Sequence, residues 1–147
     1  MTQKIQESKA HALELAQALA CEADSLKGEN IDILDVSDLL FVTDFFVMVT
    51  TRSSRQTKAL SESLKAAAKT DIGHHGAIEG SARSEWMLCD FGSVVVHILT
   101  ESAREFYDLD TLWADAPRME TGLPLTSSDE PVNADEQVAE ITENDEA

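Results

Sequence analysis

Cysteine is scarce in this sequence, and long apolar runs are missing. The two cysteines, Cys21 and Cys89, lie far apart and have no CxxC or Cys/His ligand spacing, so we expect neither a disulfide framework nor a zinc site. No stretch approaches the roughly 20 apolar residues that a membrane helix needs. Residues 1–9 mix charges and hold no apolar run, unlike a secretory signal. These absences predict a cytoplasmic protein.

Basic residues are absent from the last part of the chain. The 147 residues include 28 acidic and 11 basic side chains, a net charge of −17, and all the basic ones precede residue 119. Because residues 119–147 are acidic and aperiodic, we predict a folded domain over 1–118 and a disordered tail over 119–147. So negative a chain repels a phosphate backbone. A basic protein is the expected partner, rather than DNA or a membrane.

The hydrophobic periodicity alternates between helical and strand spacing. It predicts a long first helix that Gly28 ends, and a second helix that Ser53 or Ser54 caps. The predicted helices cover 4–25, 54–70 and 101–107, and the predicted strands cover 31–37, 44–51, 84–91 and 94–99, with a loop or brief strand at 77–79. This order predicts an α/β domain with a two-layer mixed β-sheet and helices on one face.

The strongest local signal is a hairpin that turns at Gly92-Ser93. If Phe91 pairs with Val94, one face carries only apolar side chains and is a core surface: Met87, Cys89, Phe91, Val94, Val96 and Ile98. The other face carries Trp86, Leu88, Asp90, Val95, His97 and Leu99. A carboxylate and an imidazole are costly in a dry core, so we expect this face to be exposed, or only partly covered, and to bind a partner. The alternative is a second helical layer that covers it.

Two short patterns raise the question of catalysis. His74 and His75 lie between glycines without a Cys or carboxylate at ligand spacing, which favours a surface turn over a metal site. Asp108 and Asp110 resemble the carboxylate pair that holds Mg²⁺ in phosphoryl-transfer enzymes, but no GxxxxGK[ST], GxGxxG or GxSxG motif accompanies them. We therefore expect no enzyme, no metal and no cofactor. A metal-dependent nucleotidyltransferase remains the alternative.

The sequence resembles the ribosomal silencing factor family, also called Iojap-like. The matching stretches are 44–51, 53–56, Gly80 with 85–97, and 104–116. The resemblance implies a nucleotidyltransferase-like fold without the catalytic residues. It also implies binding to large-subunit ribosomal protein fourteen at the intersubunit face, which blocks joining of the small subunit and represses translation when nutrients are limiting.

The resemblance carries a set of partner-binding positions onto this chain. They are Trp86, Leu88, Asp90, His97, Tyr107, Asp108, Leu109 and Trp113. Tyr107 and Trp113 could equally pack the closing helix against the sheet. Relatives also imply a homodimer when free, so a homodimeric scaffold in ribosome assembly is a further alternative. The acidic tail departs from the family's motif, which ends near Ala116.

Overall fold

The computed structural model describes residues 2–40, 42–72, 76–80 and 85–123. In chain order its elements are α1 (Thr2–Ser25), β1 (Glu29–Asp35), β2 (Phe45–Thr51), α2 (Ser54–Ala67), β3 (Ala77–Glu79), β4 (Trp86–Asp90), β5 (Val94–Thr100), α3 (Glu101–Tyr107), α4 (Leu109–Leu112) and β6 (Arg118–Met119). A turn of π-helix, Ala68–Ile72, prolongs α2. The predicted α/β class is confirmed, and the segment 77–79 is a strand.

The strands form one mixed sheet in the order β3-β4-β5-β2-β1-β6. Among the described strands only β2 and β5, at the centre of the sheet, pair in parallel. Strand β2 is buried at every position, as its apolar sequence predicts. The β4–β5 hairpin has the predicted register, since Trp86 pairs with Leu99 and Asp90 pairs with Val95. Gly92 adopts φ +87°, the left-handed conformation that the predicted turn needs.

The two long helices α1 and α2 cover one face of the sheet and enclose the main core. The hairpin residues predicted to face this core are all buried: Met87, Cys89, Phe91, Val94, Val96 and Ile98. Leu19 of α1 and Leu64 of α2 pack in the same cluster. Burial of a side chain of this size contributes about 2 kcal/mol, so this layer supplies much of the folding free energy.

Gly28 was predicted to end α1 as a helix-stopping glycine, but the structure gives it a different role. The residue that turns into the left-handed region is Lys27, at φ +75°, and Gly28 then donates its N–H to the Ala23 carbonyl at 2.9 Å. A Cβ at Gly28 would lie 2.5 Å from Cγ1 of Val49. Glycine is required here because the chain passes so close to β2.

The short helices α3 and α4 lie on the opposite face, called here the second face. They enclose a smaller core of Leu34, Val36, Phe46, Met48, Leu99, Ala103, Leu109 and Ala116. The expectation of an exposed second face is wrong for Leu99, which is fully buried, and for His97, which is 7% exposed. Strand alternation assigns a side chain to a face, but it does not say what covers that face.

The sheet continues one residue past the predicted domain boundary at 118. Met119 in β6 pairs with Ile33 of β1, and the Gln17 side chain donates to the Glu120 carbonyl at 2.8 Å. Most of the predicted tail, 124–147, and the pair His74-His75 lie outside the described residues. None of the helices within the described ranges is long and apolar enough to cross a membrane.

Candidate partner-binding surface

Six aromatic rings form a continuous row across the second face, which we call the aromatic row. Its members in spatial order are Phe106, Tyr107, Trp86, His97, Phe46 and Trp113, with successive ring centroids 5.0, 4.9, 6.0, 4.4 and 5.0 Å apart. These separations fall in the range of favourable aromatic contacts. The aromatic row therefore contains four residues that were predicted for the site: Trp86, His97, Tyr107 and Trp113.

The rings at the ends of the aromatic row are more exposed to solvent than those in its middle. Phe106 is 80% exposed and Tyr107 is 51% exposed at one end, while Trp113 is half-buried at the other. Leu88 and Val95 are also half-buried, and Asp90 at the end of β4 is exposed. A contiguous apolar surface with a polar rim is typical of an interaction site.

His97 supports Trp86 from beneath. The indole N–H of Trp86 donates to Nδ1 of His97 at 3.2 Å, so the imidazole carries its own proton on Nε2. Burial lowers the pKa of His97 to about 4, which keeps the ring neutral at pH 7. Its Nε2 atom has no hydrogen-bond partner among the residues that the structure describes. His97 was predicted as a partner contact, but its burial makes it a support for the exposed rings.

Leu109 is also buried, although it was predicted at the site. It is the first residue of α4 and is 4% exposed in the small core of the second face. Its side chain packs in that core, so it holds α4 in place. Asp108, just before it, is exposed and left-handed at φ +51°.

A buried arginine, Arg104, ties α3 to three other elements. Its guanidinium donates to the Asn30 carbonyl, to Oγ1 of Thr50, to Asp32 and twice to Asp110, at distances from 2.8 to 3.1 Å. These five bonds use every N–H of the group. The aromatic row depends on this anchor because α3 carries Phe106 and Tyr107. A sequence signal existed, since Arg104 is the only basic residue between positions 84 and 117.

One carboxylate of the proposed Mg²⁺ pair is held by an arginine, and the other residue lies at a helix junction. Asp110 accepts two hydrogen bonds from Arg104, which hold its pKa below the ordinary value, and Asp108 forms the junction between α3 and α4. Nowhere in the described ranges do three or more His, Cys, Asp or Glu residues meet as a metal site. The geometry therefore gives no support to the nucleotidyltransferase alternative.

The cysteine on the sheet, Cys89, is a core residue. Cys89 is buried, and burial raises the pKa of its thiol to about 12. A thiol with so high a pKa carries almost no thiolate at neutral pH, so it is unreactive.

Two residues of this surface were not identified from the sequence. Phe106 is one, and Glu85 is the other: its Oε1 accepts hydrogen bonds from Thr100 Oγ1 at 3.0 Å and Ser102 Oγ at 3.3 Å. No local pattern separates them from ordinary surface residues. Only the packing of α3 beside β4 shows that they are neighbours of Trp86.

The fold and the surface define a class: a small mixed α/β domain that presents an aromatic surface rimmed by carboxylates. A family model described as "Ribosomal silencing factor during starvation" matches residues 9–147. The chain belongs to this family, whose name places it among ribosome-associated regulators of translation.

Individual relatives agree with the family match. The chain is 33% identical to the ribosomal silencing factor of Halalkalibacterium halodurans over 107 residues, which are 73% of this chain and 92% of that protein. It is 34% identical to the chloroplastic Iojap protein of Zea mays over 115 residues, 76% of this chain but 48% of the maize protein. A crystal structure of a Chromobacterium violaceum protein superposes with a TM-score of 0.64 at 32% identity, covering 78% of this chain and 96% of that one. The predicted resemblance and the predicted mixed α/β fold class are confirmed.

Proposed function

We propose that this chain binds large-subunit ribosomal protein fourteen at the face where the two subunits meet, and so prevents the small subunit from joining when nutrients are short. The aromatic row carries the proposal, because Phe106, Tyr107 and Trp86 present ring surface to solvent that a protein partner can cover. Steric exclusion needs no catalytic group. The family name supports the ribosome as the target.

The charge of the chain favours a basic protein over RNA as the direct partner. The net charge is −17, and exposed carboxylates lie beside the aromatic row: Glu85 and Asp108 are chain neighbours of Trp86 and Tyr107, and Asp90 lies further along the same face of β4. Acidic side chains around an apolar centre attract a basic protein surface and fix its orientation, whereas they repel phosphates. The contacts we propose are Trp86, Leu88, Asp90, Tyr107, Asp108 and Trp113, with His97 and Leu109 holding them from below.

The same surface supports a second proposal about the free protein. Exposed aromatic side chains are unfavourable in water, so we infer that a second copy covers the aromatic row when no ribosome is present. Ribosome binding would then require the dimer to dissociate. We place this equilibrium in the cytoplasm, where the proposed ribosomal target lies. Sedimentation of the free chain over a range of concentrations measures this equilibrium.

Co-sedimentation with isolated large subunits on a sucrose gradient tests the proposed function. Tyr107→Ala and Asp90→Lys should each weaken binding about tenfold or more, because one removes an exposed ring and the other reverses a rim charge. Glu62→Lys is the matched control, since it makes the same charge change on α2, away from the second face.

Two results would contradict the proposal. One is a wild-type chain that neither co-migrates with large subunits nor slows their joining to small subunits. The other is equal binding by Asp90→Lys and Glu62→Lys, which would place the contact elsewhere.

A further inference from the structure

An open pocket of about 440 Å³ lies beside the exposed end of the aromatic row, between the start of β4 and α3. Its lining residues are Glu85, Trp86, Ser102, Ala103, Phe106 and Tyr107. Two of these, Trp86 and Tyr107, belong to the predicted contact set. The pocket therefore adjoins the proposed docking surface and can receive a side chain that projects from the partner.

The walls of this pocket are aromatic. Tyr107 contacts Trp86 at a 51° interplanar angle and meets Phe106 edge-on at 88°, so the three rings present differently oriented surfaces. Aromatic faces carry negative electrostatic potential and attract ammonium and guanidinium groups within about 6 Å. The lining provides both apolar contact and attraction for a cation.

Glu85 supplies the carboxylate among the described residues that line the pocket, and two hydrogen bonds hold it in place. Oε1 of Glu85 accepts from the hydroxyls of Thr100 and Ser102, and the Thr100 hydroxyl also caps α3 through the Ala103 N–H at 3.1 Å. Both donors to Glu85 are neutral. Within the described ranges the carboxylate meets only these hydroxyls and no basic side chain.

The larger pocket on the other side of α3 contains carboxylates that are already paired with arginines. It measures about 590 Å³ and contains Asp32 and Asp110, both of which pair with Arg104 and Arg118. The buried arginine has no N–H left for a ligand. A ligand there would compete with ion pairs that already hold the fold together, whereas Glu85 is unpaired with any described cation.

We propose that the Glu85 pocket receives a basic side chain of the protein partner, with its apolar stem against the three rings and its charged head on the Glu85 carboxylate. Arginine fits best, because a planar guanidinium can stack on a ring and pair with a carboxylate at once. An anion would be repelled, and a purely apolar side chain would bury the carboxylate without an opposite charge. The identity of the partner as ribosomal rests on the function proposed above.

Neutralising Glu85 tests the inference with the ribosomal particle. Glu85→Gln keeps an oxygen that can accept from Thr100 and Ser102 but removes the charge, so it should weaken binding to large subunits about tenfold. The matched control is Glu105→Gln, an equal charge change at an exposed residue of α3 that lines the other pocket. It should change binding less than about twofold. Equal effects of the two substitutions would overturn the inference and leave the proposed function intact.

A small probe tests the pocket without the ribosome. Titration of the full chain with N-acetyl-arginine amide should shift the NMR signals of the Trp86 indole N–H and of residues 102–107. N-acetyl-citrulline amide, which has the same shape without the charge, should not, and Glu85→Gln should abolish the shifts. Absence of shifts with the arginine probe, or equal shifts with both probes, would overturn the inference. Failure of the wild-type chain to bind large subunits would count against the proposed function alone.

Discussion

His97 and Arg104 are buried polar side chains that hold the second face together by different means. Arg104 uses all its N–H groups to join α3 to β1, β2 and α4. His97 accepts one hydrogen bond from the Trp86 indole at Nδ1, and its buried Nε2 atom has no partner among the described residues. A buried polar side chain is destabilising unless its hydrogen-bond partners are in place. Both residues therefore favour the one arrangement of α3 and the exposed rings that provides those partners.

The depressed pKa of His97 predicts a pH dependence of stability. Burial lowers the pKa from 6.5 to about 4, so as pH falls the unfolded chain binds a proton before the folded chain does. The folded state should therefore lose about 2 kcal/mol in free energy of unfolding between pH 7 and pH 5. Urea unfolding at the two values measures this loss.

Histidine substitutions provide the control for that experiment. In His97→Asn the loss should largely disappear, because asparagine can still accept from Trp86 but does not titrate. His11→Asn should retain it, since His11 is exposed on α1. If wild type and His97→Asn lose equal stability, the imidazole is not the buried neutral group described above.

At the scale of elements, α3 depends on its neighbours for stability. It has seven residues, too few for a helix to persist alone in water. Thr100 caps its first turn, and Arg104 anchors its middle to the sheet. The position of Phe106 and Tyr107 is therefore a tertiary property, which makes α3 the element through which stability and binding are coupled.

Paired cap substitutions test this coupling. Thr100 Oγ1 accepts the Ala103 N–H, and Ser53 Oγ accepts the Gln56 N–H of α2, each at 3.1 Å. Thr100→Ala and Ser53→Ala should each lower the free energy of unfolding by about 1 kcal/mol. Only Thr100→Ala should weaken co-sedimentation with large subunits, because α2 lies on the other face. Equal loss of binding in both variants would show that the effect comes from general destabilisation.

At the scale of the whole molecule, the charge of −17 should govern how fast the protein meets a basic partner. We expect the association rate with immobilised large subunits to fall as ionic strength rises, with little change in the dissociation rate. Lys65→Glu makes the net charge more negative by two through a change on α2, away from the second face, and should speed association at low salt. An association rate that is indifferent to salt would rule out electrostatic steering.

The sequence by itself determined the α/β class, the hairpin register and the core face of β4 and β5. These follow from local rules: side chains alternate along a strand, and a glycine in the left-handed region closes the turn. The family was also recognisable, because its motif lies in the same local stretches. The resemblance had grouped Trp86, Tyr107 and Trp113 in one set of partner-binding positions, and all three lie in the aromatic row.

The tertiary structure alone decided which side of that surface faces water. Asp32 and Arg104 are 72 positions apart, and their contact draws α3 over β5, which buries His97 while leaving Phe106 exposed. No local pattern encodes such a contact, since its free energy appears only when the chain has folded. Leu109 is buried, and Glu85 lies beside three rings, for the same physical reason.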